Sequence, residues 1–192
     1  MSQAEAGRGF GQLDRVARLG DIRRTATQTG NEILFRGVQT SVRIKAVSQK
    51  RRENRVILEN GEIVIQCGPA SRTTPARSLE NWLRQQARLE IGQKLAIITA
   101  RPKRQPHRIY VMDQRTKWGN CSRKHNLSFN WRLIMAKPEV LNYIVIHEAA
   151  RLVEPYHSSK FWLLIRSHCP RFEDTKNWLH ANSPRLLAPN KA

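Results

Sequence analysis

The residues with the clearest chemical potential are His147 and Glu148, which are adjacent, and His157, which follows further on. An imidazole can hold a metal or carry a proton, and a neighbouring carboxylate can act as a general base. On a helix, a second histidine at i+4 would bring two imidazoles to one face. With a glutamate directly after the first histidine, that is the arrangement that holds zinc and activates a water. Here the run reads His147-Glu148-Ala149-Ala150-Arg151, so the H-E-x-x-H test fails at Arg151. A bare His-Glu dipeptide is more often a feature of a helix surface than a catalytic pair.

Arginine cannot stand in for the missing imidazole. Its guanidinium carries five N–H donors, no lone pair and a permanent positive charge, so it would put a cation where a divalent ion should sit. Arg151 also lies three residues after Glu148, on a neighbouring helical position from which it can pair with that carboxylate. Glu154 is a candidate substitute ligand in nearly the right angular direction. It stands roughly 10 Å along the helix axis from His147, and reaches back only if the helix unwinds before Pro155.

The elements that must position these groups are readable in outline. Pro138 suits the first turn of a helix, and Val140, Leu141, Ile144 and Val145 give it a buried stripe through to Leu152, with Pro155 ending it. Ser158 is placed to cap a following helix bearing Phe161, Trp162, Leu164 and Ile165, which Pro170 stops before a short final helix over residues 174–180. Upstream, Leu79, Trp82, Leu83, Ala87 and Leu89 predict an amphipathic helix from Pro75 to about Ile98. Residues 107–112 and 126–131 read as strands separated by a loop over 114–125. Val42, Ile44, Val47, the run Val56 to Leu58 and the run Ile63 to Ile65, with Asn60-Gly61 as a tight turn, predict an N-terminal β-meander.

The class is therefore α+β. The expected division is a flexible leader over 1–35, a single domain over 36–186 (meander over 36–74, helix, small sheet and site-bearing helices over 75–186) and a tail over 187–192. No apolar run approaches the roughly 18 residues of a membrane span. Residues 1–11 lack the apolar stretch of a secretory signal, an arginine-bearing stretch up to Arg24 leaves a transit peptide open, and Cys67, Cys121 and Cys169 form neither a CxxC pair nor an even set, so a cytoplasmic location is the default reading. His168-Cys169-Pro170 reads as a helix end, Cys121 as a small, largely buried thiol, and the tryptophans as core anchors.

Charge is the other strong signal. The chain carries 34 Lys plus Arg against 15 Asp plus Glu, a formal charge of +19, and a field of that size attracts polyanions. Arg43, Lys45, Lys50, Arg51, Arg52 and Arg55, on the N-terminal strands, form the densest local cluster, although solvated edge-strand charges account for such clusters more commonly. Charge alone supports non-specific phosphate contacts and nothing sharper.

The residues QRTKWGNC (114–121), NLSFNWRLI (126–134), YIVIHE (143–148), His157-Ser158, Phe161-Trp162, His168-Cys169-Pro170 and Trp178-Leu179 together resemble the YgjP-type zinc metallopeptidases, which are similar to the SprT group of zincins. The resemblance is strong over residues 78–186 and looser over the N-terminal strands. It implies a zincin-like fold, one zinc ion held by His147 and His157, Glu148 as catalytic base, and Arg151 standing where a third histidine belongs. It also implies that the strand bearing Asn126, Ser128 and Asn130 borders the cleft, where an extended peptide substrate could add as a further strand. Two function classes follow: a metallopeptidase with impaired or lost metal binding, or a basic module for nucleic acid or another polyanion on a degenerate zincin scaffold.

Overall fold

The computed structural model describes residues 31–48, 52–99 and 105–187. Residues 1–30 of the expected leader, Lys50 and Arg51 of the basic cluster, and the tail from residue 188 lie outside these. The described residues fall into two compact units. The first takes in Gln39–Trp82 and the residues preceding Phe35, and the second Phe35–Val38 and Leu83 onward.

The first unit is built on a four-stranded sheet. Its strands are β1 (Glu32–Phe35), β2 (Val38–Ala46), β3 (Arg55–Glu59) and β4 (Glu62–Cys67), in the spatial order β1-β2-β4-β3. Asn60 and Gly61 both adopt positive φ, 51° and 76°, and close the β3–β4 hairpin where the Asn-Gly pair predicts it. The expected meander is corrected: β2 lies beside β4 and parallel to it, with Val42 opposite Ile63 and Ile44 opposite Ile65. The physical reason is apolar content. Ile63, Val64 and Ile65 are at most 1% exposed, and a strand apolar on both faces belongs between two neighbours rather than at a rim. β3, with exposed Arg55 and Glu59, takes the edge instead. Strand β1 also begins at Glu32, inside the stretch expected as leader.

Helix α1 (Pro75–Ile98) starts where Pro75 supplies the first turn and Thr74 Oγ1 accepts the Arg77 N–H at 3.2 Å. Its buried stripe is Leu79, Leu83, Ala87, Ile91 and Leu95, each 2% exposed or less, spaced four residues apart as one face of a helix requires.

In the second unit a three-stranded sheet has the order β5-β7-β6, from β5 (Arg108–Met112), β6 (Gly119–Cys121) and β7 (Asn126–Asn130). β5 runs parallel and β6 antiparallel to β7. β6 lies within the stretch read from sequence as a loop; three residues, Gly-Asn-Cys, give no alternation to detect. A 3-10 turn (Trp131–Met135) leads to α2 (Pro138–Ala150), in which nine of the thirteen residues are buried. Such a helix is central rather than superficial. It contacts β6, β7, α3 (Ser159–His168) and α4 (Phe172–Leu187).

Two helix ends differ from expectation. α2 gives way to a turn at Arg151, its C-cap, instead of continuing to Leu152. α4 runs on through Pro184 to Leu187 instead of stopping near 180. Packing overrides the proline: Leu186 is 1% exposed, and Ser183 accepts the Trp118 indole N–H at 2.7 Å, tying this last turn to the residue before β6. No helix among the described residues is long and apolar enough to cross a membrane.

Candidate metal centre

The last turn of α2 presents His147 and Glu148, and the segment after it returns to place His157 beside them. Ser158 makes that return possible. Its hydroxyl accepts the Phe161 N–H at 3.2 Å, capping α3 one residue after His157. The two imidazoles converge, with His157 Nε2 3.2 Å from His147 Nε2. Phe161 backs both rings, at centroid distances of 5.0 Å from His147 and 4.8 Å from His157, and Trp162 flanks them.

Glu148 is 5% exposed and faces β6. A Cβ on Gly119 would lie 2.6 Å from Glu148 Cγ and 3.0 Å from its Oε1, so no larger residue fits at 119 without moving the carboxyl group. Burial pushes the carboxyl up to about 7, against the pull of the Arg151 guanidinium, the Cys121 backbone N–H that hydrogen-bonds it, and Lys117. Burial, reinforced by the positive charge of His157, Arg151 and Lys176, drives His147 down to about 4, which leaves it neutral at pH 7. Cys121, half-buried, has its thiol pushed up by burial and by Glu148.

Arg151 sits at the C-cap of α2, with Nη1 3.6 Å from Glu148 Oε2. This is the i,i+3 pairing that the sequence permits, at ion-pair rather than close hydrogen-bond distance. Glu154 does not turn toward the histidines; its Oε2 accepts from Ser158 Oγ at 3.4 Å. Among the described residues, no group of three or more His, Cys, Asp or Glu side chains is gathered as a metal would require.

The donor set fits a catalytic zinc only in part. Two nitrogens on a tetrahedral ion with bonds of about 2.05 Å lie about 3.3 Å apart, close to the separation of His147 and His157. The same spacing suits one imidazole N–H shared between two rings. A third donor is missing, and its place on the helix holds a cation. His147 Nδ1 is buried and has no hydrogen-bond partner, whereas a ligating histidine nearly always donates its second N–H to an acceptor that fixes the ring. The residues present therefore do not complete a three-ligand site.

Asn126, Ser128 and Asn130, expected on a strand open to an extended peptide, stand on β7. Both edges of that strand are taken, by β5 and β6, so no peptide can pair with it. Their roles are internal. Asn130 accepts the Arg132 N–H and donates to Gln114 O at 2.6 Å, and Ser128 accepts from Gln114 Nε2 at 3.0 Å. The edge beside Glu148 is β6. Gly119 and the Cys121 backbone are the site residues that sequence reasoning passed over. Their signal is the missing side chain and a main-chain N–H, neither of which has a periodicity.

A family model described as YgjP-like, metallopeptidase domain, matches residues 10–182. No curated protein and no solved structure matches the chain.

Proposed function

The chain belongs to the YgjP-like metallopeptidase family, and from that premise we propose that its centre has exchanged a bound metal for an internal ion pair, leaving a zincin-like domain with impaired or lost zinc binding and peptide hydrolysis. The observation that carries this reading is the Arg151 guanidinium 3.6 Å from the Glu148 carboxylate. A zinc-bound water needs Glu148 free to take its proton, and it needs three ligands around the ion. Arg151 sets a cation against the base and withholds the ligand in one substitution.

The remaining parts are those of a working site. His147 is neutral, as a ligand must be; His157 stands at ligand spacing from it; and Glu148, at about 7, has the affinity for a proton that a general base needs once Arg151 no longer faces it. If a peptide enters, the sheet edge it meets next to Glu148 is β6.

The test is zinc content and proteolysis of the purified wild type, Arg151→Ala and Arg151→His. The wild type and Arg151→Ala are expected to retain substoichiometric zinc after dialysis, and Arg151→His to gain a stoichiometric ion. The alanine variant separates removal of a cation from gain of a ligand. Stoichiometric zinc in the wild type, with casein cleavage that a chelator stops, would overturn the reading.

A further inference from the structure

The outer face of the three-stranded sheet has a character that the metal centre does not explain. Side chains alternate along β5, so Arg108, Tyr110 and Met112 share the face away from the core. In register, Tyr110 lies opposite Ser128, and Ser128 opposite Asn120, giving one row across all three strands; Arg108 lies opposite Asn126 in the next. The other face carries Leu127 and Phe129, both 0% exposed, and turns Gly119 toward Glu148. One side of the sheet thus carries buried apolar side chains, and the other is polar: Asn130 is 0% exposed and Ser128 is held by the Gln114 side chain, while toward the β5 edge Tyr110 is 38% exposed.

The segment that forms this sheet is nearly all of one charge sign. Between Glu90 and Glu139 the only acidic residue is Asp113. It is already engaged by Arg132, and Arg84 Nη2 stands 3.7 Å from it. Arg108 on the face, Arg115 after β5, and Arg123 and Lys124 in the β6–β7 turn are all exposed.

We propose that this face binds single-stranded nucleic acid without reading its sequence: Tyr110 stacks on a base, and Arg108, Arg115, Arg123 and Lys124 hold the phosphates. Single strands are favoured over duplex because an exposed aromatic beside cations offers a stacking platform, and only unpaired bases present a free π-face. Tyr110 is the aromatic on that face, so one base is stacked. The site is separate from the metal centre, which lies on the opposite side of the same sheet. It differs also from the N-terminal strands, where Lys45 and Arg55 flank Gln66 without an exposed aromatic beside them.

The experiment is fluorescence anisotropy with the full chain and a labelled twelve-nucleotide oligouridylate, its deoxy counterpart and a duplex of the same length, with chelator present so that no metal site contributes. The single strands are expected to bind more tightly than the duplex. Tyr110→Ala should weaken them by about 5- to 160-fold, the range of one lost base–aromatic stack, while Tyr110→Phe binds like the wild type. The Arg123→Glu, Lys124→Glu double variant should flatten the dependence of log affinity on log salt by about 1.4, two phosphate contacts of a single strand. Lys45→Glu, Arg55→Glu serves as a charge-matched control and should bind within about twofold of the wild type. The proposal is overturned if no oligonucleotide binds, if duplex binds as well as single strand, or if Tyr110→Ala binds normally while the Lys45, Arg55 variant does not. Melting temperatures of all variants establish that each is folded.

Discussion

Gly119 and Glu148 are in such close approach that a single added methyl group at 119 would lie 2.6 Å from the glutamate Cγ. The relationship ties β6 to the last turn of α2 and fixes where the carboxylate stands. It also makes the edge strand, rather than the strand beside it, part of the site.

Gly119→Ala is expected to push the Glu148 side chain off its position and to destabilise the fold by about 1–3 kcal/mol, the usual cost of overpacking a buried contact. Chemical unfolding measures it. An unchanged midpoint would mean that the contact relaxes freely and that Gly119 does not set the carboxylate.

Arg151→Met removes the cation that opposes burial at Glu148 and keeps most of the side-chain volume. The Glu148 titration midpoint should move upward from about 7, because burial then acts with less opposition. A carbon-detected NMR titration of the Glu148 carboxyl reads this directly; a midpoint that stays or falls would show that the ion pair has no hold on the group.

Stability against pH follows from two opposed shifts. Glu148 is raised from 4.5 to about 7 on folding, so its contribution is lost as pH rises through that window. His147 is lowered from 6.5 to about 4, so its contribution is lost as pH falls through its own. Between 4.5 and 6.5 the two slopes have opposite signs and nearly cancel. Glu148→Gln should uncover the histidine alone, giving stability that rises by up to about 1.4 kcal/mol per pH unit across that interval. Urea unfolding at both ends of the interval tests it, and a flat profile in the variant would rule the assignment out.

Ser158→Ala deletes the cap that starts α3 directly after His157. A loss of about 1 kcal/mol is expected, lowering the melting temperature by about 2–4 °C in a chain of this size. Faster amide exchange at Phe161 should accompany it. Normal protection there would place the start of the helix under other control.

Much of the second unit was legible in sequence. Pro138, the apolar run to Val145, Ser158 and Pro170 mark α2 and α3 with local chemistry, and the His-Glu-x-x-Arg run shows which helix carries the candidate centre and which position has changed. Asn60-Gly61 announces its hairpin because only residues tolerant of positive φ close such a turn. β6 was not legible, since three residues carry no period. The partner of β2 was equally hidden, since strand order depends on which runs are apolar on both faces once packed.

The sequence by itself determined the class of fold, the family, and that Arg151 cannot donate electrons to a metal, since all of these reside in residue types and local spacing. Only the tertiary structure decided that His157 returns to within 3.2 Å of His147, that Glu154 turns to Ser158 instead, and that β7 is enclosed while β6 is the edge. Those outcomes depend on contacts between residues distant in the chain, and such contacts are set by packing and burial rather than by any neighbour along the backbone.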